Sequence, residues 1–171
     1  AIVLNASGND RGVGRSNAAT FLWAGGSASA SASNVIIVEP TLQANKTALP
    51  VSGDAGDSIV YTVVLSHASA SNADAFEAHW RDDLSSLPIT LTGVNSPTFS
   101  GCAPTVTNNS AGSVVDFVFA PFPLGCNATV QYAVTLNNTV SPGQTIINTA
   151  YADWTSLSGD VTSAQTPNNS L

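Results

Sequence analysis

The feature that most constrains the fold is an alternation of apolar and polar residues, in short runs that are separated by turn-forming clusters. The clearest run covers residues 58–66 (SIVYTVVLS) and follows a Gly-Asp turn. Further strands are predicted at residues 35–38, 42–46, 89–94, 114–119, 129–136 and 144–154. A period of two is that of a strand with one buried face, and helix signals are almost absent. The sequence therefore predicts an all-β fold, an immunoglobulin-like antiparallel β-sandwich of two packed sheets.

One segment, residues 68–81, has some helical character but is better explained as a turn followed by a strand. Its alternation would place three side chains on an inner face, Phe76, Ala78 and Trp80, and three on an outer face, Glu77, His79 and Arg81. Glu77 and the later Asp83 are thereby predicted to face outward.

Charged residues are unusually scarce. They make up 9% of the 171 residues, with four basic and eleven acidic side chains and a net charge of −7. Nucleic-acid binding and polybasic membrane-surface binding both need clustered positive charge, so we expect no nucleic-acid partner. The hydrophobic content of 43% argues against disorder. The only lysine is Lys46.

The uncharged polar residues are mostly Ser, Thr and Asn, which together with β-branched residues predicts an extracellular, cell-surface protein. Methionine is absent, and no apolar run approaches 18 residues. We therefore expect a mature, trimmed or excerpted chain with no direct membrane insertion. Cys102 and Cys126 fit one disulfide in an oxidising compartment, the alternative being two buried free thiols. The two histidines are too distant in sequence to complete a zinc site.

The sequence contains an internal repeat. Asn17-Ala-Ala-Thr-Phe-Leu-Trp23 matches Asn148-Thr-Ala-Tyr-Ala-Asp-Trp154, 131 residues further along, with Asn, Ala and Trp in register. One residue out of step, Leu4-Asn5 matches Leu136-Asn137. The alternative is two edge strands of similar Ser/Ala-rich composition.

This repeat predicts the organisation of the chain. Residues 1–34 would be an extra N-terminal strand pair, either the terminal strands of a preceding repeat or donated, docking strands. Residues 35–171 would form one complete β-sandwich unit. Because an isolated strand pair is marginally stable, we expect the first segment to dock on another unit.

Three polar residues share the parity of apolar neighbours and are predicted to point into the core: Lys46, Asp82 and Asn148. The apolar residues of the same parity are Leu42 and Ala44 for Lys46. They are Phe76, Ala78 and Trp80 for Asp82, and Ile146, Ala150 and Trp154 for Asn148. Buried lysine and aspartate are seldom left unpaired, so these residues are expected to interact.

These residues occur within a wider pattern: Lys46, then Gly56-Asp57-Ser-Ile-Val-Tyr61-Thr, Trp80-Arg-Asp82-Asp-Leu and Asn148-Thr-Ala. It resembles the repeat domains of bacterial and archaeal surface proteins called DUF11 domains, which are related to isopeptide-forming, D2-like domains of fimbrial subunits. The resemblance covers residues 40–155. It implies that Lys46 on the first strand joins Asn148 on the last, with Asp82 as the promoting acid.

The chemistry is reasonable for an apolar pocket, which disfavours the charged forms of lysine and aspartate. A neutral Lys46 amine could attack the Asn148 carboxamide while Asp82 relays protons to the leaving ammonia. The reaction would occur once per chain, so the chain is not predicted to be an enzyme that turns over a substrate. Two alternatives remain: a buried Lys46–Asp82 ion pair hydrogen-bonded to Asn148, or a Lys46 side chain that snorkels to the surface.

The sequence thus predicts a structural subunit or repeat of an extracellular filament, stalk or coat, with neighbouring copies or repeats as head-to-tail partners. The alternative is an adhesin module that binds a glycan or protein. No cofactor is expected. Asp54 and Asp57 could contribute to a calcium site, but two carboxylates are too few and a turn explains them better. No hydrolase or nucleotide-binding motif is found.

Overall fold

The computed structural model describes residues 11–159 and 169–170, and every regular element within these ranges is a β-strand. The strands are β1 (Gly14–Arg15), β2 (Ala18–Trp23), β3 (Gly26–Ser31), β4 (Val35–Ile36), β5 (Leu42–Leu49), β6 (Ser58–His67), β7 (Phe76–Asp83), β8 (Ile89–Val94), β9 (Thr98–Ser100), β10 (Thr105–Asn108), β11 (Val114–Ala120), β12 (Asn127–Leu136), β13 (Ala150–Thr155) and β14 (Asn169–Ser170). In these ranges there is no helix with the length and apolar character of a membrane span.

Two five-stranded antiparallel sheets form the body of the molecule. The first sheet has the order β5-β6-β12-β8, with β9 also paired to β12. The second sheet has the order β10-β11-β7-β13-β14. Residues from both sheets contribute to one buried core. The predicted all-β sandwich is therefore confirmed.

The core follows from the alternation in the longest strands. On β6, Tyr61, Val63 and Leu65 are buried, and every second residue of β12 from Ala128 to Leu136 is buried with them. The second sheet contributes large side chains that are almost completely buried: Trp80, Phe117 and Phe119. Burial of a large apolar side chain contributes roughly 1.5–3 kcal/mol, so this face-to-face packing dominates the stability of the sandwich.

The predicted strand over residues 144–154 is wrong in its extent, because β13 begins only at Ala150. Its partner β7 ends at Asp83, and Ala150 pairs with Asp82, so residues before Thr149 extend past the end of β7. The alternation nevertheless continues backwards: Ile146 and Asn148 are half-buried, whereas Ile147 is exposed. Asn148 therefore points inward, as its parity predicts, although it lies outside any strand.

The strand predicted after residue 68 is present as β7, and its faces are those expected from Ala78 onward. Phe76, predicted to face inward, is only half-buried, because the positive φ of Glu77 interrupts the alternation there. Ala78, Trp80 and Asp82 are buried, whereas Arg81 and Asp83 are exposed. On the edge strand β5, however, Ala44 is exposed although Leu42 is buried. An edge strand is covered over only part of its inner face, which explains this difference.

The N-terminal described residues form two small, separate sheets. β2 and β3 make a hairpin that closes at Trp23 and Gly26, and β1 pairs with β4. Arg11 donates hydrogen bonds to the backbone oxygens of Glu39 and Pro40, next to the start of β5. The β1–β4 pair crosses the predicted boundary between residues 34 and 35, and the division into two units stays a prediction. The Leu4-Asn5 part of the repeat lies outside the described residues.

Candidate cross-link site

Lys46 lies in the middle of β5, the edge strand of the first sheet, and its side chain reaches the second sheet. Its Nζ donates to Asp82 Oδ2 at 2.5 Å. The Lys46 side chain is 17% exposed. The amine thus ends on a buried carboxylate, which argues against the alternative that Lys46 snorkels to the surface.

Asp82 is completely buried on β7, where its register partners are Val115 on β11 and Ala150 on β13. One of its oxygens, Oδ2, accepts hydrogen bonds from Lys46 Nζ, Tyr132 Oη and Asn148 Nδ2. The other oxygen, Oδ1, is buried and has no partner among the described residues. Three donors therefore converge on one carboxylate oxygen.

Asn148 lies two residues before β13, and its carboxamide points into the same pocket. Its Nδ2 donates to Asp82 Oδ2 at 3.2 Å and to Tyr132 Oη at 3.1 Å. Its Oδ1 is buried without a hydrogen-bond partner in the described part of the chain. The structure therefore brings together all three residues that the sequence predicts to interact, Lys46, Asp82 and Asn148.

Two tyrosines of the first sheet form the aromatic wall of the pocket. The rings of Tyr61 and Tyr132 stack with centroids 5.2 Å apart, and Lys46 Nζ lies 5.0 Å and 5.8 Å from them. Such distances are those of cation–π contacts. Tyr132, which binds both Asp82 and Asn148, was missed by the sequence analysis. Its parity with Val130 and Val134 on β12 would have placed its hydroxyl in the core, where a tyrosine needs a partner.

Burial governs the protonation of these groups. Burial lowers the pKa of the Lys46 amine, although the hydrogen bond and charge of Asp82 act in the opposite direction. Burial, with the hydrogen bond to Asp82, raises the pKa of Tyr132, which keeps its phenol protonated and able to donate. Burial likewise raises the pKa of Tyr61. The site therefore makes a neutral amine more accessible than at an exposed lysine.

The two other carboxylates of β7, Asp83 and Glu77, which are predicted to face outward, lie away from the amine. Asp83 is exposed and accepts a hydrogen bond from Arg81 at 2.9 Å. Hydrogen bonds from Ser85 lower the pKa of Asp83. Glu77 has a φ of 45° and accepts hydrogen bonds from Thr155 Oγ1 and Gly159 N. Both carboxylates thus serve local structure at the outer face of β7.

The predicted disulfide is present between Cys102 and Cys126, with Cα atoms 5.2 Å apart. Cys126 is buried at the end of the turn before β12, and Cys102 lies between the short strands β9 and β10, which the sequence analysis did not predict. The bridge ties this connection to the core.

Reduction of the disulfide should lower the free energy of unfolding by about 3 kcal/mol, because the closed loop spans 24 residues. The melting temperature should fall by roughly 6–12 °C. Thermal unfolding with and without reductant measures this, and the Cys102→Ser, Cys126→Ser double variant is the control. A double variant that still responds to reductant would show that the effect does not come from this bond.

The remaining candidate site lies in the turn before β6. Asp54 N donates to Asp57 Oδ2 at 2.7 Å, and Asp57 N donates to Asp54 O, which is the turn that the sequence predicted. No group of three or more His, Cys, Asp or Glu suited to a metal occurs among residues 11–159. The expectation of no cofactor, with calcium at this turn as the less favoured alternative, therefore stays an untested prediction.

Comparisons with known proteins bear on the fold. No family model matches the chain, and no curated protein matches it significantly. The chain is similar to a crystal structure of a variant of BcpA, the major pilin subunit of Bacillus cereus, with a TM-score of 0.53 at 13% identity. The match covers 82% of this chain and 43% of that pilin chain, so this chain spans less than half its length. This likeness supports the β-sandwich fold, whereas membership of the DUF11 group stays a prediction.

Proposed function

We propose that the chain is a structural subunit or repeat of an extracellular cell-surface filament, stalk or coat, strengthened by an isopeptide bond between Lys46 and Asn148. The observation that carries the proposal is the convergence of Lys46 Nζ and Asn148 Nδ2 on one buried oxygen of Asp82. A further support is the fold likeness to a pilin, a protein whose assembly is a fibre. The protein would act on no substrate other than itself.

The proposed reaction balances within the pocket. Lys46 transfers a proton to Asp82, and the neutral amine attacks the Asn148 carboxamide carbon. A new bond forms between Lys46 Nζ and Asn148 Cγ, and the Cγ–Nδ2 bond breaks. The second amine proton passes through the Asp82 carboxyl to Nδ2, which leaves as ammonia. The product is a secondary amide, and no oxidant or cofactor is required.

The hydroxyl of Tyr132 is suited to assist this step. Rotation of the Asn148 carboxamide about its Cβ–Cγ bond exchanges Oδ1 and Nδ2, and it would turn the unpartnered oxygen toward Tyr132 and Asp82. The carbonyl oxygen could then accept from the Tyr132 phenol and from protonated Asp82 while negative charge develops on it. Tyr132 is therefore proposed as a hydrogen-bond donor to the developing oxyanion.

Tyr132→Phe should slow formation of the bond by roughly 10²-fold, because loss of a donor to the developing oxyanion typically has an effect of that size. The measurement is the fraction of chains with the lower mass as a function of time after refolding. Tyr151→Phe is the matched control, because Tyr151 is exposed on the outer face of β13. Equal rates in the Tyr132→Phe variant and the wild-type chain would remove Tyr132 from the mechanism.

The value of such a bond lies in the topology. β5 is the first strand of the first sheet, and Asn148 lies two residues before β13 of the second sheet. If units are joined in series, tension enters near these two strands. A covalent Lys46–Asn148 bond would carry the load between the sheets without unzipping their hydrogen-bond ladders.

A single lysine makes the bond easy to detect with trypsin. Cleavage after Arg15, Lys46 and Arg81 releases residues 16–46, 47–81 and 82–171 from an unlinked chain. A linked chain instead yields a branched product in which residues 16–81 are joined to residues 82–171, because a lysine amide is not cleaved. Release of residues 16–46 in full yield would show that no Lys46–Asn148 bond has formed, and that Lys46 is held by its ion pair with Asp82 instead.

The partners proposed for the chain are copies of itself or neighbouring repeats, arranged head to tail at the cell surface. Such contacts are heterologous and generate open fibres when the rotation does not close. Analytical ultracentrifugation and electron microscopy of native material test this. Fibres or concentration-dependent oligomers are expected, and monomers at all concentrations would contradict the polymer while leaving the bond itself unaffected.

One observation favours a second candidate, an adhesin module. A cleft of about 700 Å³ lies at the end of the sandwich near the cross-link site, lined in part by Pro50, Val51, Tyr61, Gln144 and Ile146. A glycan array is the direct test. Hits that Gln144→Ala abolishes would favour recognition of a glycan over a purely structural role.

A further inference from the structure

The hairpin of β2 and β3 has one apolar face and one largely polar face. Ala19, Phe21 and Trp23 stand opposite Ala30, Ala28 and Gly26 on one face. The other face carries three serines of β3 opposite Ala18, Thr20 and the exposed Leu22. Phe21 is 70% exposed and Trp23 is 49% exposed, and their rings stack on each other at 5.7 Å. Nothing within the described residues covers this apolar face.

The apolar face of β2 matches the core-facing side of β13 residue by residue. At the offset of the internal repeat, Ala19 corresponds to Ala150, Phe21 to Ala152 and Trp23 to Trp154. In the sandwich, Ala152 is 3% exposed and Trp154 is 4% exposed. The hairpin therefore presents to solvent the residue pattern that β13 buries.

β2 and β13 each pair with the strand that follows in the chain, but among the described residues only β13 has a strand on its other edge. β13 lies between β7 and β14, whereas β2 pairs with β3 and has no strand on its other edge in the described part of the chain. A strand with an open edge and an uncovered apolar face needs both a β7-like neighbour and an opposing sheet. Its own sandwich cannot supply them, because β13 already occupies that place beside β7.

The repeat also places Asn17 at the position of Asn148, six residues before the tryptophan in each copy. Asn17 is exposed, and its backbone oxygen accepts a hydrogen bond from Ala32 N. Lys46 of the same chain is already engaged with Asp82 and its own Asn148 pocket. An amine for Asn17 would therefore have to come from a second unit.

We propose that the β2–β3 hairpin completes a neighbouring sandwich unit of the same kind that lacks its own last two strands, and that Asn17 is the isopeptide acceptor for that unit's lysine. This inference rests on the proposed Lys46–Asn148 chemistry. The partner's lysine Nζ bonds to Asn17 Cγ, the Cγ–Nδ2 bond breaks, and ammonia leaves with the proton relayed by the partner's aspartate. The two units would then be joined covalently through the hairpin.

A tandem chain tests the proposal with the full sequence intact. Residues 35–132 are placed directly before Ala1, so that the added unit lacks β13 and β14. Residues 1–5 then take the sequence positions of residues 133–137, in keeping with the match of Leu4-Asn5 to Leu136-Asn137. Intact mass should lie two ammonia molecules below the sequence mass. Asn17→Ala and Asn148→Ala should each restore one ammonia, and Asn34→Ala, an exposed control, should restore none.

A second tandem chain, in which residues 35–171 precede Ala1, controls for folding, because here the added unit keeps its own last strands. It should also lose two ammonia molecules, but Asn17→Ala should restore none. Loss of only one ammonia in the first tandem, at Asn148, would overturn the proposal and leave the proposed function standing. Aggregation of the first tandem beside a folded second tandem would overturn it equally. No loss of ammonia in either tandem would overturn both.

Discussion

The Asn148→Ala variant is expected to melt roughly 10–20 °C below the wild-type chain. The proposed bond closes a loop of about 100 residues between Lys46 and Asn148, and a cross-link of that span contributes about 4.7 kcal/mol in the chain-entropy model. The Lys46–Asp82 ion pair stays in place in this variant, so most of the loss is that of the covalent link. Differential scanning calorimetry under non-reducing conditions measures the shift.

The matched control is Asn45→Ala, since Asn45 is exposed beside Lys46 on β5. Its melting temperature should stay within about 2 °C of the wild-type value, because exposed substitutions usually change stability by less than 0.5 kcal/mol. An Asn148→Ala variant that melts within 3 °C of the wild-type chain would contradict a covalent bond. Such a result would instead fit the loss of ordinary hydrogen bonds to Tyr132 and Asp82.

The Asp82→Ala variant should be less stable still, and its mass should equal the sequence mass. Without Asp82 the proposed proton relay is absent, so no bond forms. The Lys46 amine also loses its charged partner in a largely buried pocket, and breaking a buried pair typically costs about 3–5 kcal/mol. Mass spectrometry and denaturant unfolding measure the two effects separately.

Two further variants separate the bond from the charge. Asp83→Ala, on the exposed side of β7, should keep both the lower mass and the stability of the wild-type chain. The double variant Lys46→Met, Asp82→Leu should recover the stability lost to the unpaired amine, because apolar replacement of a buried pair is often neutral or stabilising. It should not recover the contribution of the cross-link. A lower mass in Asp82→Ala would show that Asp82 does not promote the bond.

Much of the fold could be predicted from the sequence because most strands carry a clear alternation. The runs on β6, β8, β11 and β12 are found at nearly the expected bounds, and the inward parity of Lys46, Asp82 and Asn148 brings them to one pocket. Parity is a local property, so it survives even at Asn148, where no ladder forms.

What depends on contacts between distant strands could not be predicted in the same way. The start of β13 depends on where β7 ends, and the short strands β9 and β10 owe their order to pairing with β12 and β11. The role of Tyr132 depends on which side chains face it across the two sheets, which a single strand does not reveal. Register between strands is set by tertiary packing rather than by local pattern.

The most direct test of the central claim is the intact mass of the chain, measured after denaturation under reducing conditions. Reduction opens the Cys102–Cys126 disulfide and leaves an amide unchanged, so only the proposed bond alters the result. A mass one ammonia below that of the reduced sequence is expected, and the deficit should vanish in Asn148→Ala after allowance for the substitution. A wild-type mass equal to that of the reduced sequence would contradict the Lys46–Asn148 bond.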